Sequence, residues 1–132
     1  MIGRRLFANC AICAIVAAPG VANAQTPGLT RKVLSSTDMP GGKLVCVEAI
    51  AEIDPGFMVA RHTHPGIESS YILEGEVTLM VAGQPDRAIK AGDHFQVPAE
   101  VPHAAKNGAK KTKILAVYTV EKDKPLASPA PA

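Results

Sequence analysis

Val77, Leu79 and Val81 alternate with Glu76, Thr78 and Met80, the period-two pattern of a strand with one face in a core and the other partly solvated. Further on, Ile114, Ala116, Tyr118 and Val120 alternate with Leu115, Val117 and Thr119. Both faces of that strand are apolar, which suits a central strand or one covered by a partner subunit. The same reading predicts strands over residues 29–34, 43–53, 58–64, 70–73, 76–81, 87–90, 94–97 and 112–120. Pro40-Gly41-Gly42, Asp54-Pro55-Gly56, His64-Pro65-Gly66, Glu74-Gly75, Ala91-Gly92-Asp93 and Asn107-Gly108 punctuate them as turns. No stretch carries sustained helical periodicity. The chain reads as all-β, and many short, evenly spaced strands point to a sandwich or jelly roll.

The N-terminus breaks this pattern. Arg4 and Arg5 form a short basic region, residues 6–18 are almost wholly apolar, and Ala22-Asn23-Ala24 has the small residues of a cleavage site. Residues 1–24 are therefore expected to be a signal peptide for a periplasmic or secreted protein. The apolar run is too short to span a bilayer. Gly3-Arg4-Arg5-Leu6-Phe7 is also similar to the twin-arginine export pattern, with Gly3 in place of the usual Ser or Thr. Residues 25–121 form the expected domain. Residues 122–132, rich in Pro and Ala and without a core pattern, are expected to be a flexible tail.

Cleavage after Ala24 leaves 108 of the 132 residues, and losing Arg4 and Arg5 leaves twelve basic residues against twelve acidic. A neutral chain with no Trp has neither the charge nor the stacking platforms of a nucleic-acid-binding protein, and no membrane association is expected after cleavage. Lys106, Lys110, Lys111 and Lys113 read as a solvated turn. Cys46 alone of the three cysteines survives processing, so no internal disulfide forms, and its apolar strand context suits inert packing.

The candidate chemistry lies in His62, His64 and Glu68, joined by His103 from further along the chain. Residues two apart on a strand face the same way, so His62 and His64 present both rings to one point. Glu68 adds a hard oxygen, and His103 has to arrive from a different strand. Three nitrogens and one oxygen, with room for water, suit Mn, Fe, Co, Ni, Cu or Zn. A second role for Glu68 is general base beside a metal held by the three histidines. His94 stands apart, next to Phe95 and Val97, which look like the buried face, and reads as a surface or satisfied core histidine and not as a ligand.

Gly56, His62, His64, Glu68 and Gly75 follow the spacing G-x5-H-x-H-x3-E-x6-G, and Gly92, Pro98, His103 and Asn107 fit a second motif, G-x5-P-x-G-x2-H-x3-N. With these residues the chain resembles the cupin family, small β-barrels whose two motifs share one metal site. The resemblance covers residues 56–107 and implies a double-stranded β-helix, with His62, His64, Glu68 and His103 as ligands. It also implies turn-shaping roles for the glycines and Pro98, and a structural role for Asn107. Glu100 stands where the second motif has Gly, which brings a steric cost if the backbone there needs positive φ.

Three function classes follow. As an enzyme, the chain binds a small oxygen-bearing substrate at a mononuclear divalent metal and transforms it by oxidoreductase, dioxygenase-like or isomerase-like chemistry, as single-domain relatives of the resemblance do. As a binding module, it holds metal or a small ligand without chemistry. As an assembly protein, it uses the apolar last strand and residues 26–30, the latter crossing to a partner sheet; relatives of this length resemble homodimers. Alternation places Ser70 and Ile72 inward after Glu68, Tyr71 on one flank of the site, and short loops such as 83–86 around an open mouth.

Overall fold

A computed structural model describes residues 25–132; the expected signal peptide and its twin-arginine-like pattern lie outside the described residues. Two antiparallel sheets face each other. The first holds six strands in the order β1 (Gln25–Thr26), β2 (Leu29–Asp38), β3 (Leu44–Ile53), β10 (Thr112–Glu121), β5 (Gly66–Glu74), β8 (His94–Val97). The second holds β11 (Ser128–Pro129), β4 (Met58–Thr63), β9 (His103–Asn107), β6 (Glu76–Val81), β7 (Arg87–Lys90). Neighbours far apart in sequence, such as β3 with β10 and β4 with β9, make this a rolled jelly roll.

The alternating residues do what the pattern predicts. Val77, Leu79 and Val81 are buried, as are Ile114, Ala116, Tyr118 and Val120, and they meet Val47, Ala49, Ile53 and Ile72 between the sheets. β10 lies in the middle of its sheet, between β3 and β5. Its other face, with Leu115 and Val117, is half-buried, which accounts for a strand that is apolar on both sides.

Four expectations on extent are corrected. β2 runs on to Asp38 because its ladder with β3 continues past an irregularity between Val33 and Ser35, although residues 34–38 are exposed and so leave no hydrophobic signature. β9, His-Ala-Ala-Lys-Asn, forms by pairing with β4 and β6 on either side and not by its own β propensity. Residues 26–30, suggested as an arm reaching a partner, turn back so that β1 pairs with β2 of the same chain. Residues 122–132, expected to be flexible, fold along the body: β11 pairs with Thr63 and His62, and Ala130 N–H donates to the Arg61 carbonyl at 3.0 Å. Leu126 packs against the core. A short, proline-rich segment with one apolar anchor has too little periodicity to declare this in the sequence.

The motif residues outside the ligand set build turns. Gly56, Gly75 and Gly92 all have positive φ. Asn107 is a buried hub: its Nδ2 donates to the carbonyls of Ile53, Asp54 and Lys110 at 2.9, 2.8 and 3.0 Å. Its Oδ1 accepts from Gly108 N–H and the Thr112 hydroxyl. Glu100 has φ of 60°, the left-handed region, so the residue in the glycine position is strained. Replacing Glu100 with Gly is expected to stabilise the fold by ~1 kcal/mol, relieving a left-handed penalty of about 1–2 kcal/mol at some cost in chain entropy. Denaturant titration measures it; an unchanged or lower midpoint contradicts the strain.

Candidate metal centre

Two sheets bring the four residues together. His62 lies one residue before the end of β4, His64 follows the strand, and His103 opens β9 directly opposite His62; Glu68 comes from β5 in the other sheet, beside Tyr118 and Val97 in the register. The pairing of β4 with β9 contains an irregularity between Val59 and His62: three steps on β4 match two on β9. Val59 faces the core before the extra residue, so without it Arg61 and Thr63 would continue the inward row. The bulge shifts the inward parity to His62 and His64. Behind them Gly66 is obligatory, because a Cβ there would fall on the Thr119 carbonyl of β10.

One potential donor atom from each of the four residues lies within 4.8 Å of all the others. The ring centroids of His62 and His103 are 4.2 Å apart, and those of His64 and His103 5.0 Å. His64, His103 and Glu68 are buried; His62 is half-buried. All four residues singled out in the sequence therefore meet at one point.

The hydrogen bonds decide what that point can hold. Each Nδ1 lies against a backbone carbonyl: His62 against Ala60 at 2.7 Å, His64 against Leu126 at 2.7 Å, His103 against Val101 at 3.0 Å. A carbonyl only accepts, so each Nδ1 carries the proton and a neutral ring turns its Nε2 lone pair inward. His64 and His103 Nε2 stand 2.9 and 3.0 Å from Glu68 Oε2, itself an acceptor when ionised. Lone pairs at that separation repel unless positive charge sits among them. His64 Nε2 is buried with no aligned hydrogen-bond partner, although it lies within ion-pair distance of Glu68. These residues fit a divalent cation: three Nε2 atoms and one carboxylate oxygen, each ring oriented by its own Nδ1 bond.

Burial alone raises the Glu68 carboxyl, but interactions with His103 and His64 outweigh it and hold the group well below the usual carboxylate range. That is the direction for a carboxylate facing positive charge, whether a proton or a metal ion. Burial lowers His62 to about 4 against the opposing bond to Ala60, with His103, His64 and Arg31 adding to the fall, so its ring is neutral at neutral pH. Ser70, inward as expected, donates its hydroxyl to Glu68 Oε1 at 2.8 Å and fixes the carboxylate's roll.

The chain belongs to the cupin family. The cupin domain profile matches residues 49–118, more than half of the chain. A stretch of 51 residues is 40% identical to the dimethylsulfoniopropionate lyase DddQ of Ruegeria pomeroyi, covering 39% of this chain and 25% of that protein. The match thus spans about a quarter of that relative's length. Among solved structures, an RmlC-like cupin from Shewanella frigidimarina superposes with a TM-score of 0.63 at 25% identity over 76% of this chain and 84% of the other. KdgF from Halomonas sp. gives 0.61 at 21% identity, over 74% and 84%. This cupin thus has the fold that its two motifs imply, with His62, His64, Glu68 and His103 gathered into a cluster suited to a metal ion.

Other expectations sort cleanly. Tyr71 does not flank the site: it is 47% exposed on the outer face of β5, because odd positions from Ile67 to Tyr71 point away from Glu68. His94 is exposed on the outer face of β8, and Cys46 is a free, half-buried thiol on the outer face of β3. Lys111 and Lys113 meet Glu52 on the surface, and Lys106 Nζ donates to the Gly56 carbonyl. His62, Glu68 and His103 line a cavity of about 40 Å³ whose wall also includes Arg31, Phe95 and Tyr118. Sequence reasoning passed over Arg31, though a signal existed: it falls on the inward row of β2 between Leu29 and Val33.

Proposed function

We propose that this cupin is a secreted or periplasmic metal-dependent enzyme that binds and transforms a small oxygen-bearing substrate, with oxidoreductase, dioxygenase-like chemistry as the leading reaction class. The observation that carries this reading is the convergence of His62, His64, Glu68 and His103 on one point, with each imidazole Nδ1 turned to a backbone carbonyl. A bound divalent ion supplies Lewis-acid or redox chemistry at such a site. The protein's part is orientation and proton handling. The three Nδ1 bonds hold the rings, and Glu68 Oε2 faces the nitrogens. Oε1, steadied by Ser70, is the atom positioned to take a substrate proton. Relatives of similar fold include a protein named a dimethylsulfoniopropionate lyase and one named an oxalate decarboxylase, which supports chemistry on small oxygenated molecules.

A second reading, a metal- or ligand-binding module without turnover, is favoured by the small cavity. The two separate in one experiment. Protein loaded with Mn, Fe, Co, Ni, Cu or Zn is assayed against oxidisable phenolics, β-diketones and oxalate with O2 uptake monitored, beside chelator-treated protein. The enzyme reading expects one metal per chain and metal-dependent turnover; stoichiometric binding with no turnover of any substrate supports the module. We also propose a homodimer formed through the outer face of the six-stranded sheet, where Ile67 and Tyr71 are exposed beside half-buried Leu115 and Val117. A monomeric mass by light scattering counts against that.

A further inference from the structure

Arg31 is out of place on the inward row of β2. Its strand neighbours on that row, Leu29 and Val33, pack with the core, and its partner across the ladder is Ala51. The inward positions between it and Tyr118 in the register are the alanines 49, 51 and 116, whose small side chains leave room for the long side chain to run across the sheet. The guanidinium bears on the Tyr118 hydroxyl and on His62. Among the described residues no carboxylate forms an ion pair with it. Its Nε is buried and donates to nothing. A snorkelling arginine keeps its head in water, Nε included; this one carries an unspent donor into the wall of the cavity beside the ligand cluster.

We propose that Arg31, with the Tyr118 hydroxyl, forms a carboxylate-binding subsite, so that the molecule this cupin takes presents a small carboxylate head to the cavity beside the metal centre. Shape and charge select that class. Arg31 and Tyr118 line the same cavity as His62, Glu68 and His103, so a small anionic group held there reaches the guanidinium and the ligand cluster together. A planar guanidinium matches a carboxylate bidentately, and the buried, unpaired Nε–H is costly until an acceptor arrives. The inference deepens the metal-dependent reading and rests on it for the second positive charge: a divalent ion, the Glu68 carboxylate and Arg31 together leave the site at a net charge of about +2, which an anionic ligand offsets. The Arg31 subsite itself stands without the metal.

Calorimetric titration of acetate, with acetamide as the uncharged isostere, into metal-free and zinc-loaded protein tests it. The wild type is expected to bind acetate in both states and to prefer it to acetamide. Arg31→Gln is expected to weaken acetate about tenfold in both states, the value of a charge-assisted hydrogen bond, and to bind zinc as well as or better than the wild type, because a like charge has gone. Arg31→Lys keeps the charge without the fork and is expected to fall between the two; it also serves if the glutamine variant does not fold. Acetate affinity unchanged in both variants overturns the subsite. So does acetamide binding equal to acetate, or no acetate binding by the wild type in either state. If the wild type takes up no zinc yet its acetate binding depends on Arg31, the metal reading falls and the subsite stands.

Discussion

His103→Ala is expected to lower the affinity for a divalent transition metal by more than ~100-fold, beyond the 10–100-fold that loss of an orienting partner costs. The ring is buried, its Nε2 faces Glu68 Oε2 at 3.0 Å, and its Nδ1 is committed to the Val101 carbonyl, so no other donor can swing into its place. It also sits opposite His62 across the β4–β9 ladder, and His62→Ala is expected to match it. Competition against a chromophoric chelator measures both. Glu68→Gln tells ligand from base: a large loss of metal makes the carboxylate a ligand, whereas retained metal with lost turnover leaves it the proton acceptor. Full occupancy in His62→Ala or His103→Ala would remove the assigned centre altogether.

How much of this could be read from the residues divides along physical lines. The core rows of β6 and β10 were legible because burial on one face imposes period two, and Val77, Leu79, Val81 and Ile114 to Val120 obey it. His62 and His64 were legible as a pair from their spacing. The bulge that aims that pair inward was not, since an extra residue between Val59 and His62 is defined only by what lies across the ladder. β9 was invisible for the same reason: two alanines, a lysine and an asparagine become a strand because partners flank them on both sides. Glu100 shows the opposite case, in which one departure from a motif marks a strained backbone position in the sequence itself. Arg31 lay in plain view as a charge on an apolar row, and its meaning required the cavity.

The C-terminal segment carries the least sequence signal and one of the larger expected effects. Truncation after Lys124 is expected to reduce metal affinity ~10–100-fold while the chain still folds, because the fully buried core residues all precede the cut, only the partly buried Leu126 is lost from their edge, and the main loss is that of a ligand-orienting hydrogen bond. The reason is the Leu126 carbonyl, the acceptor at 2.7 Å from His64 Nδ1, a bond that closes 62 residues along the chain. It sets the tautomer that leaves Nε2 free and stops the ring from turning. Solvent entering the vacated space restores an acceptor but no fixed direction, so the ring regains freedom that binding must then remove. A chain ending at Ala127 makes the control: it keeps the Leu126 carbonyl and loses the pairing of Ser128 and Pro129 with Thr63 and His62. Most of the affinity is expected to return in it. Were the shorter chain to bind metal as tightly as the intact protein, His64 would be held by its packing against Tyr118, whose ring lies 4.9 Å from it, and the tail would have no part in the site.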